Sequence, residues 1–205
     1  MGPLVTHAYS TDSTERRVIP LFLALAAIGA SIAIAHLLAL RHVEIPGWLS
    51  PLDTMTFYSL LYWLFDRVVW RRRWVHRLHL TNIPDLSGVW QGHVITTRMA
   101  GAPAPGTPTP ITLTVRQTWT ELAITGRTDQ SESHSLSAHM LVLSGCSISY
   151  EYTNAPLASA PEAMHAHRGL ASLSLTGELL RGEYYSGRDR QSIGTIEAQR
   201  ALRRA

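Results

Sequence analysis

With 205 residues the chain holds one ordinary domain and something more, and its formal charge of +3 rests on 18 arginines without a single lysine. From Pro84 onward ten arginines meet ten acidic residues, so the excess sits beside the apolar segments before it, and no basic face for a DNA or RNA polymer is visible. Cys146 is the only cysteine, which excludes an internal disulfide and a cysteine-based zinc site and suits a soluble part in a reducing compartment.

Residues 1–17 read as an N-terminal tail ending in Arg16 and Arg17. Val18 to Leu40 then runs 23 residues without a formal charge, enough for a helix to cross a hydrocarbon core. The run is longer than the apolar region of a signal peptide, and no small-residue cleavage site stands before "RHVEIPGW". Ala26 with Ala30, and Gly29 with Ala33, have the spacing that lets helices approach closely.

The second segment, Leu49 to Trp70, is less pure. Asp53 suits one interface and Asp66 with Arg67 the other, while Trp48, Trp63, Trp70 and Trp74 are aromatic anchors. Thr54, Tyr58, Tyr62 and Asp66 form a polar stripe. Either the stripe and the small residues face each other in a hairpin, or these surfaces join neighbouring protomers and line a water defect. Arg71, Arg72, Arg73 and Arg77 follow the second segment, and the connecting loop sets only Arg41 against Glu44. The positive-inside rule puts both ends in the cytoplasm. Residues 18–78 are therefore expected to form a two-helix transmembrane hairpin, with 79–84 as a linker.

Residues 85–200 change to a period of two. Eight strands are expected, from Val89 to Arg98, Ile111 to Trp119, Glu121 to Asp129, Ser133 to Leu143, Ser147 to Thr153, Arg168 to Thr176, Glu178 to Ser186 and Arg190 to Gln199, before a tail at 201–205. One apolar face per strand, as in Ile111, Leu113, Val115, Gln117 and Trp119, predicts an all-β domain that closes into a small antiparallel barrel. Gly88, Trp90 and Gly92 share a face, so a large indole lies between bare backbone. Ser131, Ser133, Ser135 and Ser137 form a row that either faces solvent or makes a polar inner wall. Two Pro- and Ala-rich loops, "MAGAPAPGTPTP" and "NAPLASAPEAMHAH", either cover a barrel end or are plain insertions.

The stretch "GEYYSGRDRQSIGTI" is the most suggestive. Extended throughout, it sets Arg188, Arg190, Ser192, Gly194 and Ile196 on one face, two cations beside an empty volume. Water or an anionic group must occupy that space. Catalysis is not expected: Gly-x-Ser-x-Gly, His-Glu-x-x-His and phosphate-loop patterns are absent, and His165 with His167 is a weak metal pair. A lipocalin-like carrier tethered to the membrane, or a scaffold with a filled barrel, remains compatible with these patterns.

The blocks "PDLSGVWQG", "ESHSLSAHM", "SISYEYTNAP", "HRG" and above all "LRGEYYSGRDRQSIGTI" carry a resemblance. The chain resembles the two-transmembrane, β-strand-rich effectors of CBASS, the bacterial cyclic-oligonucleotide anti-phage system, over both spans in outline and nearly all of the β-domain. The first Pro-rich loop departs from the pattern. The resemblance implies a barrel that binds a cyclic dinucleotide made by a partner nucleotidyltransferase. It also implies helices that assemble into homo-oligomers and breach the inner membrane, an abortive-infection response with no other cofactor.

A ligand with two phosphates and two bases asks for guanidinium forks, stacking faces and hydroxyls. On that footing Arg188 and Arg190 are the phosphate candidates, with Ser192 and Gly194 allowing close approach. Tyr185 and Trp90 are stacking candidates, together with Tyr150, Tyr152, Tyr184 and Trp119, and Ser133 and Ser135 are hydroxyl donors. Arg168 is either a further cation or a structural donor. A turn at Ser186 to Asp189 would send Arg188 to solvent and favour Arg190.

Overall fold

The computed structural model describes residues 5–42, 50–104, 106–161, 165–188 and 190–201, the side chains of residues 50–53 excepted. Glu44, Trp48 and the Asp53 side chain lie outside the described residues, as do Pro105, residues 162–164 and the tail beyond Ala201. The chain divides into two compact units, Ser13–Ile83 and the combination of Met1–Asp12 with Pro84–Ala205.

The helical unit contains α1 (Glu15–Ala39), α2 (Ser50–Arg67), a 3-10 turn (Val69–Arg71) and the short α3 (Arg73–Arg77). Among the described residues α1 alone is long and apolar enough to cross a bilayer. Its Leu21, Phe22, Leu25 and Ile32 are 61 to 66% exposed. A contiguous apolar surface of that kind suits lipid rather than water. At 18 residues, α2 spans roughly 27 Å, but its Thr, Tyr and Asp residues keep it below the same threshold of apolarity. The two helices pack together.

The sheltered side of α2 carries Tyr58, Tyr62 and Asp66, the expected polar stripe. On α1 the buried positions are Glu15, Ile19, Ala27 and Ser31. The ridge of Ala26, Gly29 and Ala33 lies exposed instead, and a Cβ at Gly29 would meet open space. At the start of α1 the Glu15 carboxylate accepts the Thr81 hydroxyl at 2.5 Å and the Asn82 N–H at 2.6 Å. This ties the entry into α1 to the segment that follows α3.

The other unit has ten strands: β1 (His7–Thr11), β2 (Gly88–Met99), β3 (Ala102–Pro103), β4 (Pro108–Gln117), β5 (Glu121–Arg127), β6 (Ser131–Leu141), β7 (Ser147–Pro156), β8 (His167–Thr176), β9 (Leu179–Ser186) and β10 (Ser192–Arg200). The eight expected strands are β2 and β4 to β10. They pair antiparallel in chain order, and β10 returns to β2 from Ser192↔Met99 to Arg200↔Trp90, so the ladder forms a ring. The short β3 extends one end of β2.

Inside the ring each strand grades from apolar to polar. Along β7 the inward residues are Ile148, Tyr150, Tyr152 and Asn154; along β8 in the opposite direction they are Leu173, Ala171, Gly169 and His167. Along β10, also reversed, Ala198 and Ile196 give way to Gly194 and Ser192. One end is thus a hydrocarbon core and the other a polar mouth.

Two additions to the expected architecture are β3 and β1, and β1 has the larger effect because it lies within the supposed tail. Direct pairing between β5 and β6 covers only Thr125↔His134, Gly126↔Ser133 and Arg127↔Glu132. Beyond these pairs the two strands part. Into the fork goes β1, antiparallel to β5 and parallel to β6.

Tyr9 anchors β1 at 2% exposure. Gln117 Nε2 donates to the Tyr9 hydroxyl at 3.2 Å and to Pro84 O at 3.1 Å, while its Oε1 accepts the Leu86 N–H at 2.8 Å. One buried amide therefore holds both the strand that precedes the helices and the chain that returns from them. Beyond β1, the Asp12 carboxylate accepts the N–H groups of Val142 and Leu143 at 2.8 and 3.1 Å. The Val142 bond, followed by the Leu143 bond, holds this carboxyl below its ordinary value. Its stabilising effect is present above that ordinary value of 3.8 and is lost as pH falls through the lowered one.

Tyr9→Ala should remove the anchor and leave a void, destabilising the β unit by about 3 kcal/mol or more. A lowered denaturant midpoint of tryptophan fluorescence, measured on the full chain in detergent, would register the loss.

Candidate ligand-binding site

The polar end of the ring holds a cavity of ≈ 140 Å³, within a concavity of ≈ 780 Å³ that includes its open mouth. Val94, Ile111, Leu113 and Ile196 supply apolar wall. Tyr150 and Tyr152 reach in from β7 and Tyr184 from β9, and hydroxyl and amide groups crowd the mouth, among them Thr128, Gln130, Ser131, Ser133, Asn154 and Ser192. Among the described residues Arg190 is the only arginine lining it.

Glycines make the space for these polar side chains. A Cβ at Gly169 would strike the Tyr152 phenol, one at Gly194 the Tyr184 ring as well as Ile95 O, and one at Gly126 the Ser133 hydroxyl. Ser133 Oγ donates to Gly126 O at 3.2 Å, and Tyr184 Oη shares a hydrogen bond of 2.6 Å with Thr96 Oγ1. Burial raises the Tyr150 phenol above its ordinary range, with Tyr152 adding to it. Tyr152 is raised in the same way by burial and then by Tyr184, with Arg190 opposing. Both phenols therefore stay protonated at neutral pH and can donate hydrogen bonds.

The last hairpin brings Arg190 to this place by a turn. Gly187 N donates to Arg168 O at 2.7 Å, and the N–H groups of Arg190 and Gln191 both return to Gly187 O, at 3.2 and 2.8 Å. Gln191 takes the left-handed conformation with φ 47°, and β10 begins only at Ser192. The Ser192 N–H donates to Ser186 Oγ at 2.9 Å, and the two serine hydroxyls lie 2.8 Å apart, which closes the base of the turn. Among the described residues no hydrogen bond or ion pair engages the Arg190 guanidinium.

Of the nine residues singled out from sequence, the structure brings Arg190, Ser192 and Ser133 to the cavity. The other six lie elsewhere, each for a physical reason. Arg188 stands exposed, because the N–H groups of Arg190 and Gln191 turn back to Gly187 O and strand alternation does not carry through to it. Gly194 faces inward, but the Tyr184 ring already fills the volume beside it.

Tyr185 alternates to the outer face and is 53% exposed, while its neighbour Tyr184, at 9%, is the inward member of the pair. The Arg168 side chain is 75% exposed and lies 3.9 Å from Glu151. Ser135 is buried at the fork, where its Oγ accepts the Ile124 N–H at 2.9 Å. Trp90 is wholly buried at the apolar end, its Nε1 donating to Leu86 O at 2.9 Å and the Arg200 guanidinium 4.5 Å above its ring. The serine row also breaks: a bulge separates Ser135↔Tyr152 from Ser137↔Glu151, so Ser137 turns outward.

As ligand contacts, Asn154, His167, Thr128 and Gln130 are missing from the sequence reading, which weighs His167 only as half of a weak metal pair with His165. Asn154 and His167 end the inward faces of β7 and β8, and continuing the period of those strands by one or two residues would have found them. The His167 Nδ1 is 3.1 Å from His165 O.

A family model described as "Cap15, cyclic dinucleotide receptor domain" matches residues 81–200, and one described as "Cap15, TM helices" matches residues 17–71. No curated protein matches the chain.

Glycine at 194 has no substitute on these grounds. Gly194→Ala forces a methyl group against the β2 backbone and the Tyr184 ring, with an expected loss of about 1–3 kcal/mol. Gly187→Ala meets only Arg168 O at 3.4 Å, so thermal melts of the full chain in detergent should leave its midpoint at wild type and lower that of Gly194→Ala.

Proposed function

The chain belongs to the Cap15 family of CBASS effectors, cyclic dinucleotide receptors joined to membrane helices, and from that premise we propose that the polar mouth of the ring is the receptor site and Arg190 its phosphate contact. The observation that carries this reading is the cavity itself: one arginine, protonated phenols, hydroxyls and two amides converge on a space bounded by apolar wall. Its volume of ≈ 140 Å³ is close to that of an engineered cavity that accepts benzene. One base fits inside, against the tyrosines. The sugars and phosphates then lie in the mouth, where a guanidinium fork can bind a phosphate in bidentate fashion.

The rest of the proposed activity is that of a membrane effector. A messenger made by a partner nucleotidyltransferase binds, the chains associate, and the helices breach the inner membrane. Association finds support in the exposed small-residue ridge of α1. Two crossings by α1 and α2 find support in β1: a strand that pairs with β5 and β6 lies on their side of the bilayer. The chain between Asp12 and Pro84 must then cross an even number of times, or not at all. The arginines flanking the helices favour the cytoplasmic side for both ends.

Calorimetry on the full chain in detergent, with a panel of cyclic di-AMP, cyclic di-GMP, cyclic GMP–AMP and cyclic UMP–AMP, tests the site. One member should bind. Arg190→Ala should weaken that binding by about 10- to 100-fold, the range for losing a hydrogen bond to a charged group, while Arg188→Ala leaves it near wild type. Equal affinities for the two variants would remove Arg190 from the site.

Reconstitution in phosphatidylethanolamine–phosphatidylglycerol liposomes tests the effector half. Dye should escape only with the nucleotide that binds. Escape without nucleotide, or binding without escape, would refute ligand-triggered membrane disruption.

A further inference from the structure

The fork between β5 and β6 adjoins the cavity, yet the site described above does not use the strand lodged in it. Gly126, Thr128, Gln130, Ser131 and Ser133 all line the cavity from the β5–β6 hairpin. Two residues after Ser133, Ser135 ends the direct pairing. Its Oγ takes the Ile124 N–H at 2.9 Å, in place of a backbone carbonyl, and lies 2.7 Å from His7 Nε2.

Continuing the register of Thr125↔His134 and Gly126↔Ser133 would join residues 124 with 135 and 123 with 136. Instead the next pairings of the two strands are made to β1, at His7↔Leu122, Ala8↔Glu121 and Tyr9↔Ala138. The same backbone groups therefore have two alternatives, β1 in the fork or further zipping of β5 onto β6. An element with two arrangements is what a ligand can bias.

We infer that β1 relays occupancy of the cavity to the first membrane helix, with Ser135 and His7 as the positioning residues that couple the two. This rests on the reading of the cavity as the cyclic dinucleotide site. A ligand that draws on Ser131 and Ser133 shifts the hairpin next to the point where Ser135 sets the fork. From the end of β1 only Asp12, Ser13 and Thr14 lead to α1. At roughly 3.5 Å per residue, a link of three residues has little slack to absorb a movement of the strand.

The returning connection is less suited to the task. Its residues are held by Gln117 at Leu86, by Trp90 at Leu86 O, and by Arg200 at Asp85 O and Ser87 O. None of Gln117, Trp90 and Arg200 lines the cavity.

A reversible clamp tests the relay. Ser10 and His139 are opposite one another on β1 and β6, with exposed side chains hydrogen-bonded at 2.8 Å. Ser10→Cys with His139→Cys, in a full chain carrying Cys146→Ser, should form a disulfide that fixes β1 in its fork. A control disulfide from Glu183→Cys with Thr195→Cys joins β9 to β10 at a register pair away from the fork.

The oxidised clamp should bind the cyclic dinucleotide chosen from the panel with wild-type affinity, but should lose dye release by about 5- to 150-fold, the span of ordinary coupling between sites. Reduction should restore release, and the control should release dye in both redox states. Equal release from the oxidised and reduced clamp, with binding intact, would overturn the relay while leaving the receptor reading in place. Failure of every panel member to bind the wild-type chain would overturn the receptor reading, and the relay with it.

Discussion

A sheet of so few strands can meet its own edge only if the strands coil tightly, and tight coiling leaves no room for an inward Cβ at the bends. Gly92, Gly182 and Gly194 occupy such points. A Cβ at any of them would collide with backbone of the neighbouring strand: Glu197 O for Gly92, Ser172 O for Gly182 and Ile95 O for Gly194. Closure of β10 on β2 depends on two of the three. With the ring shut, no long sheet edge is left among the described residues for another chain to pair with, and an interior exists in which polar groups can be arranged.

That interior is divided along its axis. The wholly buried side chains Trp90, Leu113, Ile148 and Leu173 belong to its apolar part, and Arg200 caps Trp90 from outside through a cation–π contact. At the other end the inward positions are taken by Ser192, Asn154 and His167. The apolar part supplies the burial that holds the ring, and the polar part can therefore hold groups whose hydrogen bonds a ligand completes. Stability and the proposed recognition thus fall to different residues of the same strands.

Much of this was legible beforehand because a period of two is a strong signal when turns are short. The ring strands agree with the expected ones within a few residues, and the inward face of β4 was readable as Ile111, Leu113, Val115 and Gln117. Errors arose wherever the period was interrupted. The bulge after Ser135 turns Ser137 alone out of the serine row, and a turn sends Arg188 to solvent, the alternative that the residues Ser186 to Asp189 leave open. In the Tyr-Tyr pair the identity of the residues gave no phase, so the outward Tyr185 was preferred to the inward Tyr184. On α1, small-residue spacing marked a ridge without saying which way it faces. "HAYST" has one aromatic and no alternation long enough to notice, and its partners are more than 100 positions away, as in the His7–Ser135 pair with a separation of 128.

That separation has a consequence for biosynthesis. β1 leaves the ribosome before β5 and β6 yet pairs only after them, because its berth does not exist until both have been made. In the proposed hairpin, a copy whose first helix crossed without the second returning would leave β1 on the wrong side of the lipid. Its fork would then stay open, with unpaired peptide groups along both margins. On the proposed topology, then, a completed sheet would distinguish correctly threaded copies from misthreaded ones.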